Sequence, residues 1–164
     1  MGQKVLITAA ASGIGLEIAR AFVEAGATVF ITDVNTQAID AATKEIPGLL
    51  TALCDNSKRS DIEAMVPAAV KALGGLDVLV NNAGIAGPTA PVEEVDPEKW
   101  EHVLRVDLVG TFNVTRLAIP HLKKSSAGSI IIMSSLGGRF GYPNRSPYNV
   151  AKAGYDRLCK DARH

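Results

Sequence analysis

No charge of one sign predominates in this chain: 17 Lys and Arg stand against 17 Asp and Glu. That balance, with no run of like charge, argues against a nucleic-acid-binding surface. No apolar stretch approaches the about 20 residues that cross a bilayer, so no membrane association is expected. The opening MGQKVLITAA has too short an apolar run for a secretory leader and passes straight into a strand pattern. Gly2 is not read as a myristoylation signal, because Leu6 stands where Ser or Thr is needed. Cysteine is scarce: Cys54 and Cys159 alone, without metal-type spacing. Both fall in apolar surroundings and read as small core residues in a reducing, cytoplasmic compartment rather than as a disulfide. No metal site is expected. Internal repeats, low-complexity tracts and domain linkers are also missing, which points to one domain over residues 1–164.

What is present is a hydrophobic content of 47%, enough for a packed core. Short apolar runs alternate with helical patterns. KVLITAA, TVFITD, LLTALCD, LDVLVNNAG and GSIIIMSS read as five strands. A helix is expected from Ile14, with Ile18, Phe22 and Val23 on its apolar face and Gly26 closing it. Others are expected over Thr36–Glu45 and Asp61–Leu73, the latter ending at Gly74-Gly75. Asp96-Pro97 reads as an N-cap followed by proline in the first turn. The helix it opens carries Trp100, Val103, Leu104, Leu108 and Phe112 on one side. A loop with three glycines and Pro143 leads to a last helix from about Pro147, whose apolar side is Ala151, Tyr155, Leu158 and Ala162. Strands that are apolar throughout, separated by helices, predict a parallel sheet covered on both faces with right-handed crossovers: a doubly wound, Rossmann-like α/β domain.

The loop TAAASGIG, Thr8 to Gly15, follows the first strand and opens the first helix. There, backbone N–H groups from Ala11, Ser12, Gly13, Ile14 and Gly15 can face a pyrophosphate, and the bare Gly13 and Gly15 let it approach. Asp33, 20 residues after Gly13, closes the second strand. A carboxylate there binds a ribose 2′-OH and repels a 2′-phosphate, which predicts NAD rather than NADP. The alternative is a plain strand-to-helix turn with a solvated Asp. In SPYNVAKAG, Tyr148 and Lys152 are four apart on one helical face. An ammonium beside a phenol favours the phenolate, and such a phenol can take a proton from an alcohol or give one to a carbonyl oxygen. The same spacing also describes an ordinary surface pair.

Four motifs in order, TAAASGIG, NNAG at Asn81–Gly84, Ser134-Ser135 and YNVAK at Tyr148–Lys152, give the chain a close resemblance to the classical short-chain dehydrogenase/reductase family. The resemblance implies an NAD(H)-dependent oxidoreductase that interconverts a secondary alcohol and a ketone. It implies Tyr148 as acid–base, Lys152 tuning it and binding the nicotinamide ribose, and Ser135, 13 residues before Tyr148, hydrogen-bonded to the reacting oxygen. Ser134 is expected to tie down the strand end. Asp107 stands where the family has an Asn that completes a proton relay; the plainer reading is an ion pair with Arg105 or Lys152. Asp55 and Asn56 match the adenine contact, and Asn82, Ala83 and Gly84 the segment lining the adenine ribose, while Asn81 supports the sheet. Ala9 replaces a family glycine, and an alanine there calls for an ordinary backbone conformation. His102 and His121 are given no chemistry. The family pairs the helices after strands four and five across a symmetric interface, implying a homo-oligomer, dimer or tetramer. The family's sixth and seventh strands and its substrate-covering loop have no counterpart in this sequence, so it reads as truncated at the C-terminus with the fifth strand an exposed edge. The competing function is a catalytically inactive, truncated paralogue serving as a dinucleotide-binding module.

Overall fold

The computed structural model describes residues 2–161, the side chains of Asp156 and of residues 159–161 excepted. The core assignments of Cys159 and Ala162 therefore lie outside the described residues. Five strands, β1 (Lys4–Ile7), β2 (Thr28–Asp33), β3 (Leu50–Leu53), β4 (Val78–Asn81) and β5 (Ser129–Ile132), form one sheet in the order β3-β2-β1-β4-β5. Every pairing is parallel. Helices α1 (Gly13–Glu24), α2 (Thr36–Glu45) and α3 (Arg59–Leu73) link the first four strands. Between β4 and β5 run α4 (Pro97–Leu104), a π-helical segment (Arg105–Gly110) and α5 (Thr111–Leu122). A short α6 (Gly137–Phe140) and α7 (Ser146–Asp161) follow.

The strands explain the double cover. Alternate side chains point to opposite faces, so Val5 and Ile7 join Val29, Ile31, Val78 and Val80 in one core with Leu16 and Ala19 of α1. Leu6, Phe30 and Leu79 join the opposite core with Ile62 and Val66 of α3 and Val114 and Ala118 of α5. This is the doubly wound parallel architecture expected. Among the described residues β5 pairs only with β4 and is half-covered at best, with Ile131 exposed. The caps also form as expected: the Asp96 carboxylate accepts from the Glu98 and Lys99 N–H groups, and Gly26 follows α1 at φ +82°.

Three expectations are corrected. Ile14 is 68% exposed, and the buried members of α1 are Gly15, Leu16 and Ala19, with Ile18, Phe22 and Val23 only partly covered. Phe112 is likewise exposed, although Val103 of the same stripe is fully buried. The reason is the π-helical segment: its wider turn shifts every later residue around the helix, so Thr111, Val114 and Ala118 face inward instead. The glycine loop before α7 also contains a helical turn, α6, packed so closely on α7 that a Cβ on Gly138 would lie 2.6 Å from the Lys152 carbonyl carbon.

Candidate active site

The sheet order puts β1 beside β4 at the point where the chain changes direction across the sheet. In open α/β sheets this switch point opens a crevice at the carboxyl ends of the strands. Here the two strand ends are stapled together. Thr8 Oγ1 accepts from the N–H groups of Asn82 and Ala83, both at 3.1 Å. The Asn82 amide returns two bonds, to the Thr8 carbonyl at 3.1 Å and the Ala9 carbonyl at 2.7 Å. Ala9 does not keep an ordinary conformation: its φ is +50°. The anchors on either side account for this. The Ala9 carbonyl is held by Asn82, and the next N–H, of Ala10, donates to the Thr32 carbonyl at 2.8 Å. A relaxed φ would turn one of these groups away.

Past this turn, α1 begins at Gly13 with φ +56°, and nothing lies within 4 Å of where its Cβ would be. That side of the loop is open. Gly15 is the reverse: a Cβ there would meet the Asn82 amide at 2.6 Å and the Ala10 Cα at 2.7 Å. The side chain of Ser12, the N-cap, makes no capping bond. Orphan N–H groups at a helix start attract an anion. Asp33 lies at the tip of β2, where Oδ2 accepts from Ala11 N–H and Oδ1 from Asn35 N–H, both at 3.1 Å. The carboxylate is thereby fixed against the glycine loop.

Beside it lies a cavity of about 260 Å³ lined by Val34, Cys54, Asp55, Asn56, Ala83 and Gly84, among others. That is just below the ~300–1,000 Å³ usual for a small-molecule site, suited to one end of a longer ligand. Asn56 is buried, and its side-chain nitrogen has no hydrogen-bond partner. Burial, aided by Asp61 and Asp55, pushes the Cys54 thiol up to about 12, so it stays protonated. Burial works to raise the Asp55 carboxyl, but hydrogen bonds from Ser57 and the nearby Lys58 hold it below its ordinary value. His102 is exposed and borders both this cavity and a neighbouring one of about 510 Å³ between α4 and the stretch Ile85–Pro88.

The remaining site residues meet where α7 crosses the π-helical segment. Lys152 is buried, 6% exposed. Its Nζ donates to the Met133 carbonyl at 2.9 Å and lies 4.0 Å from Asp107 Oδ2. A Cβ on Gly84 would lie 3.1 Å from that nitrogen, so the loop after β4 approaches the lysine closely. Asp107 is fully buried. Its Oδ1 accepts from Ile85 N–H at 2.8 Å, and Oδ2 has no hydrogen bond. Burial raises the Asp107 carboxyl and lowers the Lys152 ammonium, each opposed by attraction to the other. Asp107 therefore faces Lys152; Arg105 pairs instead with Glu101 at 3.2 Å.

The Tyr148 ring is half-buried, its centroid 5.4 Å from Lys152 Nζ. Ser135 Oγ accepts from Gly137 N–H at 3.2 Å, which orients the hydroxyl, and among the described residues its proton has no acceptor. Ser134 Oγ donates to the Lys152 carbonyl at 3.4 Å, tying the end of β5 to α7. Asn81 sits away from the crevice, its amide donating to Thr115 Oγ1 at 3.0 Å within the buried sheet face. One participant has no sequence signal beyond its helical spacing: Tyr155, three residues past Lys152, whose hydroxyl lies 3.5 Å from Nζ.

Comparison with known proteins places the fold in a family. The family described as short chain dehydrogenase matches residues 3–164. An L-fucose dehydrogenase of Bos taurus is 38% identical over 159 residues, 97% of this chain and 58% of its own length. A 3-oxoacyl-[acyl-carrier-protein] reductase of Thermotoga maritima is 39% identical over 163 residues, 97% of this chain and 66% of its own length. Among solved structures, an NAD+-bound xylitol dehydrogenase superposes with a TM-score of 0.92 at 27% identity, covering 98% of this chain and 64% of that one. A 3-ketoacyl-(acyl-carrier-protein) reductase from Brucella melitensis complexed with NADH gives 0.92 at 34% identity, covering 98% and 68%. The chain spans roughly three-fifths of the length of the curated relatives it matches. Its parallel sheet, its stapled switch point and the family match over residues 3–164 make it a member of the short-chain dehydrogenase family.

Proposed function

We propose that this chain forms the cofactor-binding and proton-transfer portion of an NAD(H)-dependent oxidoreductase that interconverts a secondary alcohol and a ketone. The observation that carries the reading is the placement of Lys152. A lysine almost fully buried against the glycine loop after β4, facing Asp107 and one turn from Tyr148, is an expensive arrangement for a surface pair. The residues present fit a dinucleotide. The uncapped start of α1 and the open side of Gly13 suit the pyrophosphate, and Ala11, Ser12, Ile14 and Gly15 complete that loop. Asp33 suits a ribose diol, and the cavity with its unpartnered Asn56 amide suits the purine, next to Asp55, Ala83 and Gly84. Asn82 contributes indirectly, holding the loop through Ala9.

When bound, the nicotinamide supplies hydride chemistry. The chain's own residues handle the proton. Tyr148 gives or takes it at the substrate oxygen, and the Lys152 charge stabilises the phenolate that results. The Ser135 proton, left unengaged by the bond from Gly137, donates to the same oxygen. Asp107 faces Lys152 and offsets its charge. The substrate is a small alcohol or ketone, met in the crevice beside Gly84. A panel of secondary alcohols offered with NAD, followed by nicotinamide absorbance, tests the activity. Tight NAD binding without turnover of any panel member, in the protein carrying all the chain its gene encodes, would favour the non-catalytic module instead.

A further inference from the structure

Tyr155 heads the largest fully buried side chains, and the proton transfer described above makes no use of it. A buried phenol needs a partner for its hydroxyl. Here the O–H donates to the main-chain carbonyl of Asp107 at 2.8 Å, within the π-helical segment. The wider winding of such a segment exposes carbonyls to side chains. With its single proton engaged there, the hydroxyl meets Lys152 Nζ, 3.5 Å away, only as an acceptor. Donation therefore runs one way, from the Lys152 ammonium to the Tyr155 oxygen and from the Tyr155 proton to the Asp107 carbonyl. The ring adds to this, its centroid 4.7 Å from Nζ, nearer than that of Tyr148.

We propose that Tyr155 is a positioning residue for Lys152, its hydroxyl and ring together holding the buried ammonium in its charged form and in place beneath Tyr148. The inference rests on the reading of Lys152 as the partner of Tyr148. The surroundings leave Lys152 few substitutes. From the end of β5 it receives the Met133 carbonyl; from the π-helical segment, the Asp107 carboxyl at 4.0 Å; and the loop after β4 passes close by at Gly84. From α7 itself come Tyr148 and Tyr155, and His102 of α4 acts at one remove, on Asp107. Without the Tyr155 oxygen, the ammonium keeps a single hydrogen bond within 3.5 Å among the described residues. A side chain present only to fill space would serve equally as phenylalanine.

That difference supplies the test. Tyr155→Phe keeps the ring and removes the acceptor. In protein with ¹³C-labelled lysine, the Lys152 Cε titration midpoint should fall by about one pH unit, a tenfold change in proton affinity. The pH dependence of NAD binding should move with it. A midpoint unchanged within error would overturn the proposal. The readout needs no turnover, so that outcome would leave the acid–base reading of Tyr148 standing, and an inactive chain would leave this test intact. Should the Phe variant not fold, the unaltered protein still decides. The Tyr155 hydroxyl proton should exchange slowly and show cross-relaxation with the Lys152 ε-protons, and exchange at the solvent rate would overturn the proposal.

Discussion

Replacing Ala9 by glycine should stabilise this protein. Ala9 holds φ +50° because its carbonyl is fixed by Asn82 and the next N–H by Thr32. For an L-residue with a Cβ, the left-handed region costs about 1–2 kcal/mol. Glycine removes that cost but loosens the unfolded chain, which opposes folding by about 0.4–1 kcal/mol. The difference favours Ala9→Gly by about 0.5–1 kcal/mol, a rise in midpoint temperature of about 1–4 °C for a chain of this size. Urea unfolding of the two proteins, with slopes compared to confirm that the same surface is exposed, measures it. If glycine instead destabilises by about 0.5 kcal/mol or more, Ala9 occupies an ordinary conformation and the staple described here does not force the turn.

Other consequences concern charge and assembly. If Asp33 holds the ribose diol as proposed, NAD should bind more tightly than NADP by calorimetry, and Asp33→Ala should narrow the gap while loosening the loop through loss of the Ala11 and Asn35 bonds; equal affinities in the unaltered protein would contradict this. Burial raises the Asp107 carboxyl above its unfolded value, so the folded state retains the proton longer and loses stability as pH climbs above about 4, the ordinary carboxylate value. Asp107→Asn keeps an acceptor for Ile85 N–H but removes that titration, so its stability relative to the parent should grow over the same range; parallel pH curves would show that the carboxyl is not perturbed. If the chain pairs as proposed from its family, Val109, Phe112 and Val150, 44%, 46% and 47% exposed on the π-helical segment, α5 and α7, would supply apolar surface for a symmetric interface. Light scattering at micromolar concentration should give a dimer mass, and a monomer mass would refute the pairing.

The strand and helix order was legible because every strand is a compact apolar run bounded by glycine or aspartate, and Thr36–Glu45 matches α2 end to end. The motifs fall at the ends of β1, β4 and β5, but that β1 and β4 lie side by side and open a crevice comes from the sheet order. What sequence reading missed has local causes. The π-helical segment is invisible to a straight helical period, and with it went the inward turn of Thr111 and the exposure of Phe112. The turn of α6 is hidden in GGRF, where two glycines read as loop. The backbone of Ala9 was misjudged because its conformation is imposed by Asn82, 73 residues away in sequence. Tyr155 carried only a core signal, since its hydroxyl's partner belongs to another helix. Among the described residues no helix is long and apolar enough to cross a membrane.

The central claim is that Tyr148 is the acid–base group beside Lys152, and single-turnover hydride transfer with Tyr148→Phe tests it most directly. Phe keeps the half-buried ring and removes the hydroxyl that carries the proton. NAD binding should therefore stay near the parental value while hydride transfer, followed by nicotinamide absorbance, is abolished. Ser135→Ala, run alongside, should slow the same step by about 10²–10³, the usual loss for one donor to a developing oxyanion. If Tyr148→Phe transferred hydride at close to the parental rate, the acid–base reading would be wrong, and Tyr148 would be no more than a neighbour of a buried lysine.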